Sequence, residues 1–210
     1  MQDIIAVTAT DFGVGKTWVT TALARSLAAR HNDVRAVKII ETGVGSDAGA
    51  ESDGVILAKA TGQSSPTEPL LRFPDPVSAA EAASRAGEAV DITGLISQMR
   101  QIAANCDVML AEGNGGLLTP LTWECTIVDV ARRLGAMAVV VAPDRRGTIN
   151  HALLTLRALA EANVNCLGVA LNAHGESDAT TGTNAAALRR LAPGTRVVET
   201  NKPGWEQRLV

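Results

Sequence analysis

The sequence lacks the features that mark nucleic-acid-binding and membrane-spanning proteins. It has no tyrosine, 2% aromatic residues and a net charge of −3 at pH 7. Because it has no basic cluster and no basic stretch interleaved with aromatic residues, we do not expect a nucleic-acid partner. No apolar run approaches the length of a membrane span, and Met1-Gln2-Asp3 leads into a short apolar segment, not into a signal peptide. We therefore expect no membrane association.

Cysteine is also scarce. Cys106, Cys125 and Cys166 are isolated, odd in number and surrounded by apolar residues. This pattern predicts buried thiols in a reducing compartment, and neither a disulfide framework nor metal ligands. The expected location is the cytoplasm.

The composition is that of an ordinary globular chain. Its 210 residues are 46% hydrophobic and 20% charged, which suits one large α/β domain spanning residues 1–210 with an ample core. No internal repeat and no linker divides the chain.

Apolar strand-like runs alternate with amphipathic helix-like runs, which predicts a mostly parallel sheet with helices on both faces. The predicted strands span residues 4–7, 34–40, 108–111, 138–142, 166–171 and 195–198. The predicted helices span residues 18–30, 93–105, 127–134, 150–162 and 185–191. Ligands of such sheets bind beyond the carboxyl ends of the strands. Lys16, Lys38, Glu112 and Asn172 all fall at or just after such ends.

Two stretches rich in glycine and small polar residues predict loops, at residues 41–53 and 174–184. Both follow strands, so either could cover a ligand. For the second stretch, a surface connector without function is an equally good interpretation.

Gly13-Val14-Gly15-Lys16-Thr17 lies between the first strand and the first helix. In this arrangement the backbone N–H groups of the turn and the helix N-terminus face nucleotide phosphates. Lys16 adds positive charge and Thr17 offers a hydroxyl to Mg²⁺. Thr10 stands where the standard phosphate-binding pattern has another glycine.

Carboxylates near this turn are candidate Mg²⁺ ligands, since Mg²⁺ prefers hard oxygen donors and bridges phosphate oxygens. Glu112 ends a buried strand and precedes Gly113-Asn114-Gly115-Gly116, where a carboxylate has little structural purpose without a cation. Asp53 precedes a helical run, so it is a candidate ligand or, like Ser52, an N-cap.

Lys38 ends an apolar strand, so its side chain either extends to the surface or points into the site. In the site it could neutralise charge on a transferred phosphoryl group. His31, His151 and His174 are scattered, and no Ser or Cys pairs with them at a motif spacing. Trp18, Trp123 and Trp205 are expected to pack in the core or at its edge, and not to serve as stacking platforms.

Four segments together resemble the dethiobiotin synthetases, in that family's order and spacing and over almost the whole chain. They are Thr8-Ala9-Thr10-Asp11-Phe12-Gly13-Val14-Gly15-Lys16-Thr17, Lys38-Ile39-Ile40-Glu41-Thr42-Gly43, Glu112-Gly113-Asn114-Gly115-Gly116-Leu117 and Gly147-Thr148-Ile149-Asn150-His151. The resemblance implies a P-loop NTPase-like fold and a homodimeric ATP- and Mg²⁺-dependent ligase of biotin biosynthesis. That enzyme closes a ureido ring on 7,8-diaminopelargonic acid with CO₂.

The resemblance also implies roles for particular residues. Lys38 and Lys16 correspond to catalytic lysines, and Thr17, Asp53 and Glu112 to Mg²⁺ ligands. The implied nucleotide-binding set is Gly13, Val14, Gly15, Lys16, Thr17, Trp18, Asp53, Glu112, Gly113, Asn114, Gly115 and Asn172, with Asn172 at the base. The implied substrate-binding set is Thr42, Gly115, Gly147 and Asn150, partly across the dimer interface.

The chain departs from the family pattern at several positions. Ala9 replaces a glycine, Phe12 a residue that is often a small hydroxyl, Ile39-Ile40 the common Pro-Val, and Arg146 an apolar residue. The segment 199–202 lacks the proline that helps to frame the adenine.

Three other functions stay open at this point. A partitioning-type ATPase would carry a lysine early in the loop, where Asp11 stands here. An amidoligase resembling cobyrinic acid diamide synthetase would need a glutaminase domain, for which 210 residues leave no room. A non-catalytic nucleotide-binding module would bind nucleotide without turnover.

Overall fold

The computed structural model describes residues 3–44, 51–173 and 177–210. The strands of that part of the chain, numbered in order, are β1 (Asp3–Ala9), β2 (Val34–Lys38), β3 (Ile40–Thr42), β4 (Leu71–Phe73), β5 (Val108–Glu112), β6 (Pro120–Thr122), β7 (Cys125–Thr126), β8 (Met137–Pro143), β9 (Cys166–Asn172) and β10 (Val197–Glu199). Its helices are α1 (Lys16–Ala28), α2 (Asp53–Thr61), α3 (Ala79–Ala86), α4 (Ile92–Ala103), α5 (Ile127–Leu134), α6 (Thr148–Glu161), α7 (Asn184–Leu191) and α8 (Trp205–Leu209).

Six strands form one sheet in the order β10-β9-β8-β1-β5-β2, and every neighbouring pair is parallel. The register sets Val7 of β1 and Lys38 of β2 on either side of Glu112 of β5. Two small pairs lie outside this sheet, parallel β3–β4 and antiparallel β6–β7. The prediction of a mostly parallel sheet is confirmed.

Alternating side chains of the sheet pack against helices on its two faces. On one face, Ile5 and Val7 of β1 join a buried cluster with residues of α1, α2 and α8. On the other, Ala6 of β1 joins a larger cluster with residues of α3 to α7. Because both faces are covered, the strands read as nearly continuous apolar runs, which is why their positions could be predicted.

Four of the helices in the described residues have a side-chain cap or a capping box at the N-terminus. Ser52, Ser78 and Asp91 cap α2, α3 and α4, and Thr126 with Asp129 forms a capping box on α5. Helices α1 and α6 begin instead after glycines with positive φ, Gly15 and Gly147, without a side-chain cap and without an acidic residue in the first turn. The N-termini of α1 and α6 therefore keep N–H groups that an anion can use.

The predicted strand 34–40 is wrong in its continuity, because the chain breaks at Ile39 between β2 and β3. The Ile39 N–H still donates to the carbonyl of Glu112 at 3.0 Å, beside the last β2–β5 pair, Lys38 and Glu112, but Ile40 already pairs with Leu71 of β4, outside the main sheet. In the loop predicted at 41–53, residues 41–42 belong to β3 and Asp53 begins α2. In the loop predicted at 174–184, Asn184 begins α7. Residues 45–50 and 174–176 of these loops, with His174, lie outside the described residues, as do Met1 and Gln2.

Two of the three tryptophans pack as expected. Trp205 is buried and stacks on Trp18 with ring centroids 6.0 Å apart and an interplanar angle of 18°. Trp123 is 66% exposed in the β6–β7 hairpin, so the prediction of packing is wrong for it.

The three cysteines are free thiols. Cys106 and Cys125 are buried as predicted, whereas Cys166 is only partly buried. Burial raises the pKa of Cys106 and of Cys166 to about 11. None of the helices in the described ranges combines the length and the apolar character that crossing a membrane requires.

Candidate active site

The turn between β1 and α1 forms a cradle of backbone amides. Gly13 and Gly15 adopt φ of 66° and 86°, which turns the chain into the N-terminus of α1. A Cβ at Gly15 would lie 2.1 Å from Nδ2 of Asn172, so only glycine fits there. The Asn172 amide in turn donates to the carbonyl of Val14 at 2.9 Å. The end of β9 thus buttresses the turn that a phosphate would occupy.

Lys16 begins α1 and its side chain is largely buried beside the cradle. Its ammonium lies 5.9 Å from the centroid of the Phe12 ring. Burial and, to a smaller extent, the charge of Lys38 lower the pKa of Lys16 to about 8. A partly desolvated cation at this place interacts strongly with an anion, because little water competes for it.

Lys38 points into the site. Its side chain is 4% exposed, and its ammonium lies 2.6 Å from Oδ2 of Asp53 and 2.7 Å from Oε1 of Glu112. Burial alone would lower the pKa of Lys38, but the two carboxylates outweigh it and raise the pKa above its usual value. Of the two orientations open from the sequence, the side chain does not extend to the surface but lines the cleft beside the cradle.

Glu112 is 0% exposed, and three side chains donate hydrogen bonds to its carboxylate. Oε1 accepts from Thr17 at 2.9 Å and from Lys38 at 2.7 Å, and Oε2 accepts from Thr20 at 2.5 Å. Thr20 is absent from the sequence-based site. Its spacing of four residues from Lys16, on the same face of a helix, is the signal that could have revealed it.

Asp53 lies at the start of α2 but is not its N-cap. Ser52 caps the helix by accepting from the N–H of Val55, which leaves the Asp53 carboxylate to Lys38. Glu41 of β3, another residue missed from the sequence, accepts from the Asp53 N–H at 2.9 Å and from the Gly54 N–H at 3.3 Å. Glu41 therefore ties the start of α2 to the strand that follows Lys38.

Thr42 and Asn114 line the same cleft and contact each other. The Asn114 amide donates to the Thr42 hydroxyl at 3.2 Å. A Cβ at Gly113 would come within 2.8 Å of Ile127, and one at Gly115 within 2.5 Å of the Phe12 ring. The cleft encloses about 440 Å³. Its lining comprises Phe12, Gly13, Gly15, Lys16, Thr17, Trp18, Lys38, Thr42, Asp53, Pro76 and Asn114.

Gly147 and Asn150 are exposed at the start of α6 and do not line this cleft. A second cleft of about 350 Å³ lies between α6 and the segment after Gly115. Its lining includes Leu118, His151 and Leu154. Within one copy of the chain, the structure separates these two predicted substrate-binding residues from Thr42 and Lys38.

Thr17, Asp53 and Glu112 fit a Mg²⁺ ion by their chemistry and placement. Oδ2 of Asp53 and Oε1 of Glu112 both contact the Lys38 ammonium, and the Thr17 hydroxyl lies 2.9 Å from the same Glu112 oxygen. A hydroxyl and two carboxylates are hard oxygen donors that leave further positions for water and phosphate. In the structure, the Lys38 ammonium is the positive charge between the Asp53 and Glu112 carboxylates.

The chain is similar in sequence to known proteins. A family model described as an AAA domain matches residues 3–198. The chain is 37% identical over 195 residues to the ATP-dependent dethiobiotin synthetase BioD of Mycobacterium sp. (strain JLS), covering 91% of this chain and 85% of that protein. It is 39% identical over 188 residues to the protein of that name from Anaeromyxobacter dehalogenans (strain 2CP-C), covering 88% and 83%.

Solved structures show the same fold at low sequence identity. The septum site-determining protein MinD of Pyrococcus horikoshii OT3, complexed with Mg-ADP, superposes with a TM-score of 0.60 at 20% identity, covering 95% of this chain and 82% of that chain. Apo McdA of Cyanthece superposes with a TM-score of 0.58 at 15% identity, covering 100% and 90%. The sheet is thus that of P-loop ATPases, and by sequence the chain belongs to the family of the ATP-dependent dethiobiotin synthetases.

Proposed function

We propose that this chain closes the ureido ring of dethiobiotin from 7,8-diaminopelargonic acid, CO₂ and ATP. The observation that supports this reaction best is the meeting of Lys16, Lys38 and the oxygens of Thr17, Asp53 and Glu112 beside one phosphate cradle. Two lysines suit a reaction in which a carbamate and a phosphoryl group, both anionic, must be held in line.

In this reaction the first amine bonds to CO₂ and loses a proton, which gives a carbamate. A carbamate oxygen then takes the γ-phosphoryl group, with ADP as the leaving group, to form a mixed anhydride. The second amine attacks the carbonyl carbon, expels phosphate and closes the ring as it loses a proton. Lys16 contacts the phosphates from the start of α1, and Thr42, held by Asn114, offers a hydroxyl to the substrate.

Thr17, Asp53 and Glu112 would hold Mg²⁺, which when bound neutralises charge on the phosphate oxygens. Lys38, which lies against Asp53 and Glu112 in the free protein, would turn in the reaction to the carbamate and the transferred phosphoryl group, where its charge is needed in the transition state.

We infer that the chain acts as a homodimer, in which the partner's α6 completes the substrate site. Gly147 and Asn150 do not line the cleft of their own chain, so their proposed contact with substrate requires a second copy. Leu118 and Leu154, 61% and 55% exposed, line the neighbouring cleft and give that copy an apolar surface to cover. The open N-terminus of α6 suits the substrate's carboxylate.

A cytoplasmic location is part of the same proposal, supported by the free cysteines.

Phosphate release from Mg-ATP in bicarbonate buffer, with and without the diamine, tests the proposed reaction. Release that depends on the diamine, with dethiobiotin detected by mass spectrometry, is the expected result. Nucleotide binding without diamine-dependent release would contradict the proposal and favour a different acceptor or a non-catalytic module.

A further inference from the structure

Thr20 is a fully buried polar residue beside the site, and no motif in the sequence accounts for it. It lies one turn after Lys16 in α1 and is 0% exposed. Its hydroxyl is 2.5 Å from Oε2 of Glu112 and 2.9 Å from the carbonyl of Lys16. A hydroxyl has one proton to donate, and a carboxylate is the stronger acceptor at the shorter distance. The proton therefore belongs to the bond with Glu112.

The donors to Glu112 divide between its two oxygens. Thr17 and Lys38 both donate to Oε1, whereas Thr20 donates to Oε2. In the proposed reaction, the Thr17 hydroxyl turns to a metal ion and the Lys38 ammonium turns to the transferred group. Of these three donors, Thr20 alone has no other task.

We propose that Thr20 is a positioning residue, which holds Oε2 of Glu112 so that Oε1 faces the cation in both the free and the nucleotide-bound states. This inference rests on the proposed role of Glu112 as a metal ligand. A carboxylate that is 0% exposed can rotate about its last side-chain bond once a partner is lost, and its orientation decides how well it meets the ion. Hydrogen bonds to metal-ligating carboxylates orient them in this way.

The chain offers a matched control in the adjacent residue. The Thr21 hydroxyl is a buried oxygen for which the described residues provide no hydrogen-bond partner. Thr21→Val and Thr20→Val make the same chemical change one residue apart in one helix. Only the second removes a hydrogen bond to Glu112.

The test follows binding of a fluorescent ATP analogue during Mg²⁺ titration, with no diamine present. We expect Thr20→Val to raise the Mg²⁺ concentration at half-maximal binding by about 10- to 100-fold, the range measured for loss of such orienting partners. Binding in EDTA should stay unchanged. Thr20→Ser, which keeps the hydroxyl, should restore the wild-type titration, and Thr21→Val should not shift it.

A Thr20→Val titration that coincides with those of wild type and Thr21→Val would overturn the inference. If Thr20→Val does not fold, Thr20→Ala removes the same hydroxyl without adding volume and is judged by the same criterion. Glu112→Gln tests the proposed metal site separately from the role of Thr20. A shift in Glu112→Gln but not in Thr20→Val contradicts only the role of Thr20, whereas no shift in Glu112→Gln contradicts the metal site itself.

Discussion

At the scale of single residues, Lys38 holds together the two carboxylates of the site. Its ammonium, almost excluded from water, holds the Asp53 and Glu112 carboxylates within 2.7 Å. Two carboxylates at this distance from one point would repel each other without a cation. The ammonium therefore keeps the cation site assembled before nucleotide arrives.

Replacing Lys38 by Met should destabilise the free protein and abolish turnover. Loss of one partner from a buried ion pair typically costs about 3–5 kcal/mol, because a charge is left uncompensated. Turnover should fall by at least about 10²-fold, the effect of removing one electrostatic contact to the transition state. Denaturant unfolding in EDTA and diamine-dependent phosphate release measure the two effects.

Lys59→Met is the control for this change, because Lys59 pairs with Glu51 at the exposed surface. Mg²⁺ should stabilise Lys38→Met more than it stabilises wild type, since the ion meets two unpaired carboxylates. Unchanged phosphate release in Lys38→Met would remove Lys38 from the mechanism.

Gly15 and Gly13 provide a second test, of the cradle itself. Both have positive φ, and forcing alanine into that region costs about 1–2 kcal/mol at each position. At Gly15 the new methyl group would also collide with Asn172, whereas at Gly13 nothing lies within 4 Å of it. Gly15→Ala should therefore destabilise the protein more than Gly13→Ala in thermal unfolding. Equal destabilisation would mean that Asn172 moves aside freely.

The sequence predicted most of the residues in this cleft but not what each one touches. Spacing put Lys38 and Glu112 at strand ends, and the parallel register then brings them face to face. Asp53 was undecided from sequence, because a helix start admits either Ser or Asp as its cap. Thr20 and Glu41 were missed, because their partners are 92 residues away in one case and beyond a loop in the other.

At the scale of elements, α2 is held at its start by two different contacts. Ser52 caps it through Val55, and Glu41 binds the N–H groups of Asp53 and Gly54. The first contact is local, whereas the second fixes the helix to β3 and so sets where Asp53 lies relative to Lys38.

Glu41→Ala and Ser52→Ala should therefore have similar effects on stability but different effects on the Mg²⁺ requirement for nucleotide binding. Each should cost about 1–2 kcal/mol of stability, as expected for losing acceptors at a helix N-terminus. Only Glu41→Ala should also raise the Mg²⁺ requirement for nucleotide binding, because it releases Asp53 from β3. Urea unfolding and the Mg²⁺ titration of nucleotide binding measure these effects, and equal titrations for both variants would contradict the role given to Glu41.

The helices and strands that could be predicted from the sequence bury large apolar residues. The central strands were found because apolar residues cover both faces of the sheet. The break at Ile39 was missed because Ile39 and Ile40 are both buried and continue the apolar run. Helix α3 is mostly alanine, and β4, β6 and β7 are short strands whose pairing depends on the tertiary fold. The buried face of α3 consists of alanines, so no large apolar residue marks it, and the three strands are too short to show a period.

At the scale of the whole molecule, the Asp11–Phe12 turn and the Gly115–Gly116 segment stand between two clefts. One cleft holds the two lysines, and the other is bordered by Leu118 and Leu154. In the proposed dimer, the amines of the substrate would lie in the first cleft and its carboxylate would reach toward the second copy of the chain.

Charged substitutions at the second cleft should separate the proposed dimer. We expect Leu118→Asp and Leu154→Asp each to give monomers in sedimentation velocity, since each buries a charge against an apolar partner surface. Both should bind nucleotide normally but lose diamine-dependent turnover. Leu191→Asp is the control, because Leu191 is similarly exposed at the end of α7 and lines neither cleft. Dimers that persist in both variants would place the interface elsewhere.

Subunit mixing tests whether one copy completes the site of the other. Lys38→Ala removes the lysine of its own cleft, and Asn150→Glu puts a carboxylate at the α6 start, where the substrate's carboxylate is proposed to bind. Each homodimer should be inactive. In a mixed dimer, one site combines both defects, but the other combines the intact Lys38 of one chain with the intact Asn150 of its partner. Random mixing makes half of the dimers mixed, so the mixture should recover about a quarter of wild-type turnover per chain. No recovery, with mixed dimers shown by native mass spectrometry, would mean that each chain builds its substrate site alone.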